Sequence, residues 1–161
     1  MYDFLAWLEA SALGNAMRGS GVWTYGLVNL THILGVGALF GSVLLLDLRL
    51  LGAWRAIPLA AIERPAVPVA AAGFAVAAVS GVCMISTNAT EYDGNPFIYI
   101  KFPAIGIALL NVAAVSLMPA WRARRTRALV LRERRYLAVA GGLSLVSWLT
   151  AISAARMIGY W

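Results

Sequence analysis

Residues 23–52, WTYGLVNLTHILGVGALFGSVLLLDLRLLG, decide the fold. From Trp23 to Leu46 the run holds no Asp, Glu, Lys or Arg. A helix of ~20 such residues crosses the ~30 Å hydrocarbon core of a bilayer. The one group in it that titrates near neutrality is His32, the only histidine of the chain. An ionisable side chain at that depth is costly, and inside a membrane it marks a functional site by default. Asp47 and Arg49 lie where the apolar run stops. The remaining residues read as scaffold around this helix.

Composition agrees. Of 161 residues, 61% are hydrophobic and only 12% charged, against roughly 25% charged in ordinary soluble domains. Mean hydropathy is +0.78. A soluble fold of this length could not hide so much apolar surface, so a single membrane domain over residues 1–161 is expected. The net charge is +6, but seven arginines fall between Trp121 and Tyr136. The high pI, near 10.1, therefore reflects largely one segment. No separate basic domain exists to carry nucleic acid, and none is expected as a partner. The single cysteine, Cys83, excludes an internal disulfide and a multi-cysteine zinc or iron–sulfur site within one chain. The N-terminus carries Asp3 and Glu9 and no basic stretch, so a signal peptide is not expected.

Outward from the first span, about 22–46, the pattern predicts three more, at about 67–87, 97–117 and 136–159. Residues 2–17 have helical apolar spacing but are short for a span; they read as an amphipathic helix in the interface, with Trp7 at headgroup level. Gly19-Ser20-Gly21 ends it. Gly73, Ala77 and Gly81 form a small-residue ladder in the second span that admits a neighbouring backbone. The expected fold is thus all-α: an integral membrane four-helix bundle with an N-terminal interfacial helix. Residues 47–65 and 122–135 read as basic loops, and 87–96 as an acidic turn without Lys or Arg. Basic loops stay in the cytoplasm. This places both termini and the acidic turn on the periplasmic side of a bacterial inner membrane.

His32 lies about ten residues into its span, which at ~1.5 Å per residue is ~15 Å deep. On a helix wheel it shares a face with Tyr25, Asn29, Gly35 and Val36. Gly35, Gly37 and Gly41 thin the helix nearby, leaving room for a flat ring system or for a tightly packed neighbour. Neutral imidazole ligates haem iron, and it hydrogen-bonds a quinone carbonyl. It also serves structurally, by donating to a carbonyl or to a hydroxyl such as Ser80 or Thr87. Lys101 and Arg156 fall near the outer ends of the third and fourth spans, where two cations call for anions or for snorkelling to the interface. With His32 below and Asn29 one turn above it, they outline a pocket for haem b or a quinone. Cys83 and Met84, near the outer end of the second span, are soft donors that with His32 would suit copper(I). Asn111 and Trp148 are polar groups suited to inter-helix hydrogen bonds. One histidine excludes bis-histidine haem ligation within one chain.

Several blocks carry a resemblance: Trp23-Thr24-Tyr25, NLTHILGVG at 29–37, GSVLLLDLRLLG at 41–52, PAVP at 65–68, GFAVAAVSG at 73–81, ATEY at 89–92 and NPFIYIKF at 95–102. Over roughly residues 20–118 the chain resembles a family of small four-span bacterial inner-membrane proteins, with the DLRLLG block the most specific part. More remotely, the histidine span, the small-residue second span and the early lysine of the third look like the copper-resistance D membrane proteins and the haem-binding membrane protoporphyrinogen oxidases. That likeness points to His32 and Lys101. The expected function is a redox-associated membrane subunit with haem b or a quinone, with copper handling as one alternative. A structural anchor within a homo-oligomer or larger complex is the other.

Overall fold

Four helices are long and apolar enough to cross a membrane. They dominate the computed structural model, which describes residues 1–161 and contains no strand. In chain order the helices are α1 (Tyr2–Ala10), α2 (Ala12–Gly19), α3 (Gly21–Leu51), α4 (Leu59–Thr87), α5 (Pro96–Leu117), α6 (Pro119–Ala123) and α7 (Leu131–Ile158); a 3-10 turn, Ala89–Tyr92, follows α4. Only 17% of the most apolar stretch of α3 is buried within the protein. Leu27, Leu30, Ile33 and Leu34 stand outward. Such a stripe is hard to hydrate and natural against lipid.

The helix boundaries move from their sequence-derived positions for identifiable reasons. The expected helix over 2–17 is two helices. Ser11 is extended (φ −63°, ψ 162°) and its side chain accepts from the Gly14 N–H at 3.2 Å. A serine that caps a new helix cannot continue the old one. Helix α3 runs through Asp47 to Leu51, because Asp47 is buried rather than solvated. Chain reversal is confined to residues 52–58, where Gly52 (φ +112°) and Trp54 (φ +48°) take left-handed conformations. Helix α4 starts at Leu59 and carries Pro65 and Pro68 within it, as membrane helices tolerate. Helix α7 starts five residues before its apolar run. Glu133 accepts from the Val130 N–H at 3.0 Å and pairs with Arg127 at 2.6 Å, so the arginine-rich segment winds into the helix.

The chain divides into two compact units. The first comprises Met1–Leu39 and Ala70–Asn95, the second Phe40–Val69 and Pro96–Trp161. In the first, α3 and α4 run antiparallel in a regular register: Leu39 against Gly73, Gly35 against Ala77, His32 against Ser80. The glycines set the spacing. A Cβ on Gly73 would lie 2.5 Å from the Leu39 nitrogen and 2.8 Å from the Gly35 carbonyl oxygen, and one on Gly35 would lie 2.8 Å from the Ala77 nitrogen. The small-residue ladder thus faces α3, with backbone against backbone.

In the second unit, α5 packs along α7. The seam is made of small side chains, Ala104 and Ala108 on α5 and Ala140, Ala151 and Ala154 on α7, with Leu137 and Trp148 as the large buried members. Asn111 donates from its amide to the Ala140 carbonyl at 3.0 Å, the inter-helix role expected of it. Such bonds contribute ~0.6 kcal/mol in membranes.

Candidate functional site

His32 is half-buried on the α4-facing side of α3, and its Nδ1 lies 3.1 Å from the Ser80 hydroxyl. The Ser80 hydroxyl lies 2.6 Å from the Val76 carbonyl, four residues back on its own helix. A carbonyl only accepts, so the single hydroxyl proton goes to Val76 and Ser80 accepts from His32. The network therefore places a ring proton on Nδ1. A hydrogen bond through one ring nitrogen fixes the orientation of the imidazole. Gly81 makes room for this ring: a Cβ there would sit 3.1 Å from His32 Cε1.

The three glycines that thin α3 divide between the two uses open to them. Gly35 is consumed by the close approach of α4. Gly37 and Gly41 have no atom within 4 Å of an added Cβ. Space for a flat ring beside His32 is therefore restricted on the α4 side.

The α3–α4 register also fixes the depth of the other candidates. Asn29 is one turn above His32 and half-buried. Opposite Asn29 the register places Cys83 and Met84, three to four residues beyond Ser80. At ~1.5 Å rise per residue they are ~5 Å above His32, closer than the ~9 Å that straight spans with sequence-derived ends suggest. Met84 falls on the same stripe as Gly73, Ala77 and Ser80. Both sulfur side chains are half-buried, and the cysteine is free. No group of three or more His, Cys, Asp and Glu side chains converges as a metal cage, so copper would have to use the thioether.

Above these residues the first unit opens into a shallow cleft of about 320 Å³ lined by Met17, Arg18, Gly21, Val22, Tyr25 and Thr87. Helices α1 and α2 are tied beside it by polar contacts. The Thr90 N–H and hydroxyl each donate to Glu9 Oε2 at 2.7 Å. Arg18 donates to the carbonyls of Thr87 (2.9 Å) and Glu9 (2.7 Å) and to Asn15 Oδ1 (2.7 Å). Phe4 and Trp7, with ring centroids 5.8 Å apart, are exposed, as an interfacial helix requires. Donation from the Thr90 N–H, and next from its hydroxyl, holds the Glu9 carboxyl below its ordinary value of 4.5. A folded-state value below the unfolded one gives stability that is complete above pH 4.5 and lost as pH falls through the folded value. Protection of the amides of residues 2–19, taken relative to the intrinsic exchange rate at each pH, should accordingly be full at pH 5 and above and fall as the pH drops below 4.5. In Glu9→Gln that protection should be lower and independent of pH over this range. Wild-type protection that ignored this pH range would remove Glu9 as the tie.

Lys101 and Arg156 belong to the second unit, on α5 and α7. Neither forms an ion pair. Lys101 is partly buried, with Nζ 5.8 Å from the Phe102 ring centroid. Arg156 is exposed, stacks 4.7 Å over the Tyr160 ring and donates to the Tyr160 hydroxyl. That posture suits a snorkelling cation at a membrane boundary.

The second unit also holds a polar cluster that sequence reasoning missed. Glu63 is 2% exposed. Its Oε1 accepts from Arg124 at 2.6 Å and from Arg125 at 2.5 Å, and its Oε2 accepts from Arg125 Nε at 3.1 Å. Arg124 stacks 3.7 Å from the Trp121 ring centroid and donates to the Trp121 carbonyl. Read singly, these arginines are topology signals; in the fold, two of them neutralise a buried acid. The available signal is Glu63 itself, the only acid between Asp47 and Glu91.

Comparisons with known protein families, curated proteins and solved structures find no match to this chain.

Proposed function

We propose that the chain is a redox-associated inner-membrane protein or subunit that holds a quinone headgroup at His32. The observation that carries this reading is the His32–Ser80–Val76 hydrogen-bond chain, which orients the ring inside an apolar span through a protonated Nδ1. The imidazole in its neutral form would hydrogen-bond the headgroup oxygen of a bound quinone or quinol. Asn29, one turn above and half-buried, offers an amide to the headgroup. A quinone is preferred to haem b because Gly35 is filled by α4 and because one histidine supplies one axial ligand. The arginine distribution supports a cytoplasmic placement of the basic ends and periplasmic termini. The electron acceptor would be a redox group of a partner subunit, since further copies of this chain add none.

His32→Ala should weaken binding of a short-chain quinone about tenfold, the value of one hydrogen bond of ~1.4 kcal/mol. The Ser80 hydroxyl keeps its bond to the Val76 carbonyl in this variant. Titration of the detergent-solubilised protein, followed by fluorescence, measures this. Equal affinity in wild type and His32→Ala would remove the histidine from the site.

Copper(I) is the second reading, favoured by the register that brings Met84 within about one turn of His32. Metal analysis of the same sample separates the two. Copper that falls in Met84→Leu and Cys83→Ser selects this reading, and a Soret band lost in His32→Ala would select haem b.

A further inference from the structure

Asp47 stands at the end of the longest apolar run, where a solvated charge would be expected. It is instead 3% exposed. Its Oδ2 has no hydrogen-bond partner, and no cation pairs with it. Ser144 of α7, itself buried, is the polar side chain that acts on the carboxyl group. Gly141, one turn earlier on α7, lets the helices approach: a Cβ there would lie 3.3 Å from the Asp47 carbonyl oxygen.

The charges of the surrounding elements are engaged elsewhere. On its own helix, Arg49 donates to the Ile57 carbonyl at 2.9 Å. On α4, Glu63 is held by Arg124 and Arg125. On α7, Glu133 is held by Arg127, Arg132 donates to Tyr136, Arg134 to the Leu129 carbonyl and Arg156 to Tyr160. Arg55, Arg64 and Arg135, the other cations near these segments, form no ion pair with it.

A buried ionised carboxylate with no cation beside it and a bare oxygen is among the most costly groups a protein interior can hold, and such a group neutralises instead. The neutral acid fits this place. Its O–H has Ser144 to donate to, and an uncharged carbonyl oxygen is far cheaper to leave bare than a charged one.

We propose that Asp47 is a proton-binding site of the second unit, loaded at neutral pH and exchanging its proton with the aqueous phase at the end of α3. The step is a proton transfer alone: carboxylate and hydronium give carboxylic acid and water, with no redox partner. It is independent of what His32 binds. The site is hidden in the sequence because Asp47 sits in a charged-looking segment, DLRLLG, whose helical continuation buries it.

Infrared spectroscopy of the full-length protein in lipid at neutral pH tests the proposal. The expected result is a protonated-acid carbonyl band of one carboxyl per chain, shifted on transfer to D2O. The band is absent in the near-isosteric Asp47→Asn and moved in frequency in Ser144→Ala. Absence of the band in the wild type, or its survival in Asp47→Asn, would overturn the assignment. A band insensitive to D2O would overturn exchange. Ser144→Ala leaves the acid in place, so it reads the site even if Asp47→Asn folds poorly.

Discussion

Gly73→Val is expected to prevent stable assembly of α3 with α4. The Cβ alone would stand 2.5 Å from the Leu39 nitrogen and 2.8 Å from the Gly35 carbonyl oxygen. Both obstacles are backbone atoms inside a helix, so neither can swing aside as a side chain would. Overpacking typically costs about 1–3 kcal/mol and more where the surroundings cannot move; the upper end, ~3 kcal/mol or beyond, is expected here. Gly37→Ala on α3 is the matched control. No atom lies within 4 Å of its added Cβ, and helix propensity favours the alanine by up to ~1 kcal/mol. Unfolding in mixed micelles, followed by helix content, should show Gly73→Val strongly destabilised and Gly37→Ala equal to or better than wild type. Similar curves for the two would mean that α3 and α4 do not meet at this seam. Because the same seam positions His32 against Ser80, quinone affinity should fall with Gly73→Val as well.

The seam is readable from the sequence on one side only. Gly73, Ala77 and Gly81 announce a close approach by their spacing, and periodicity shows that they share a face. It does not say which helix approaches. On α3 the three glycines look equivalent, although one is filled by α4 and two are open, a distinction made by register rather than composition. Span centres are likewise legible, since ~20 apolar residues have few other fates; α5 begins within one residue of its expected start. Span ends are not. They depend on whether a terminal charge finds a partner: Asp47 and Glu63 are buried and Glu133 caps α7, so helices extend into segments that hydropathy assigns to loops.

The candidate site divides in the same way. His32 stands out because it is the one titratable imidazole in an apolar run, and Ser80 is one of the two hydroxyls expected within its reach. Direction is what the sequence withholds. Only the Val76 carbonyl behind Ser80 decides which partner donates, and that is a fact of four-residue helical geometry. Asp47 and Glu63 escape notice for the opposite reason. Each lies among arginines, where an acid looks solvated and its burial depends on a distant helix or segment.

Glu63→Ala should be costly in a way that identifies Arg124 as the reason. The carboxylate is bonded to two guanidinium groups whose side chains differ sharply in exposure, 9% for Arg124 and 49% for Arg125. Once freed, Arg125 can turn to water, so its share is that of a surface pair, ~0–1 kcal/mol. Arg124 cannot turn away without giving up the stacking on Trp121, and its Nε already lacks a partner. Removing one member of a buried pair strands the other, at about 3–5 kcal/mol. Replacing both members by apolar groups of similar size is often neutral. Glu63→Met combined with Arg124→Met should therefore recover most of the loss seen in either Glu63→Ala or Arg124→Met alone, whereas adding Arg125→Met to Glu63→Ala should recover little. Thermal or denaturant unfolding of the four variants in detergent supplies the cycle. A Glu63→Ala cost below ~1 kcal/mol would place the carboxylate among exposed pairs. Recovery by the Arg125 rather than the Arg124 substitution would reverse the assignment of which guanidinium is committed. The cluster also alters how the basic end is counted. With Arg124 and Arg125 sharing Glu63 and Arg127 held by Glu133, the unpaired positive charge left for the proposed orientation signal is that of the remaining arginines, among them Arg122, Arg132, Arg134 and Arg135. Glu63→Ala should leave membrane orientation unchanged while it lowers stability, because it adds positive charge to an end already held by the excess.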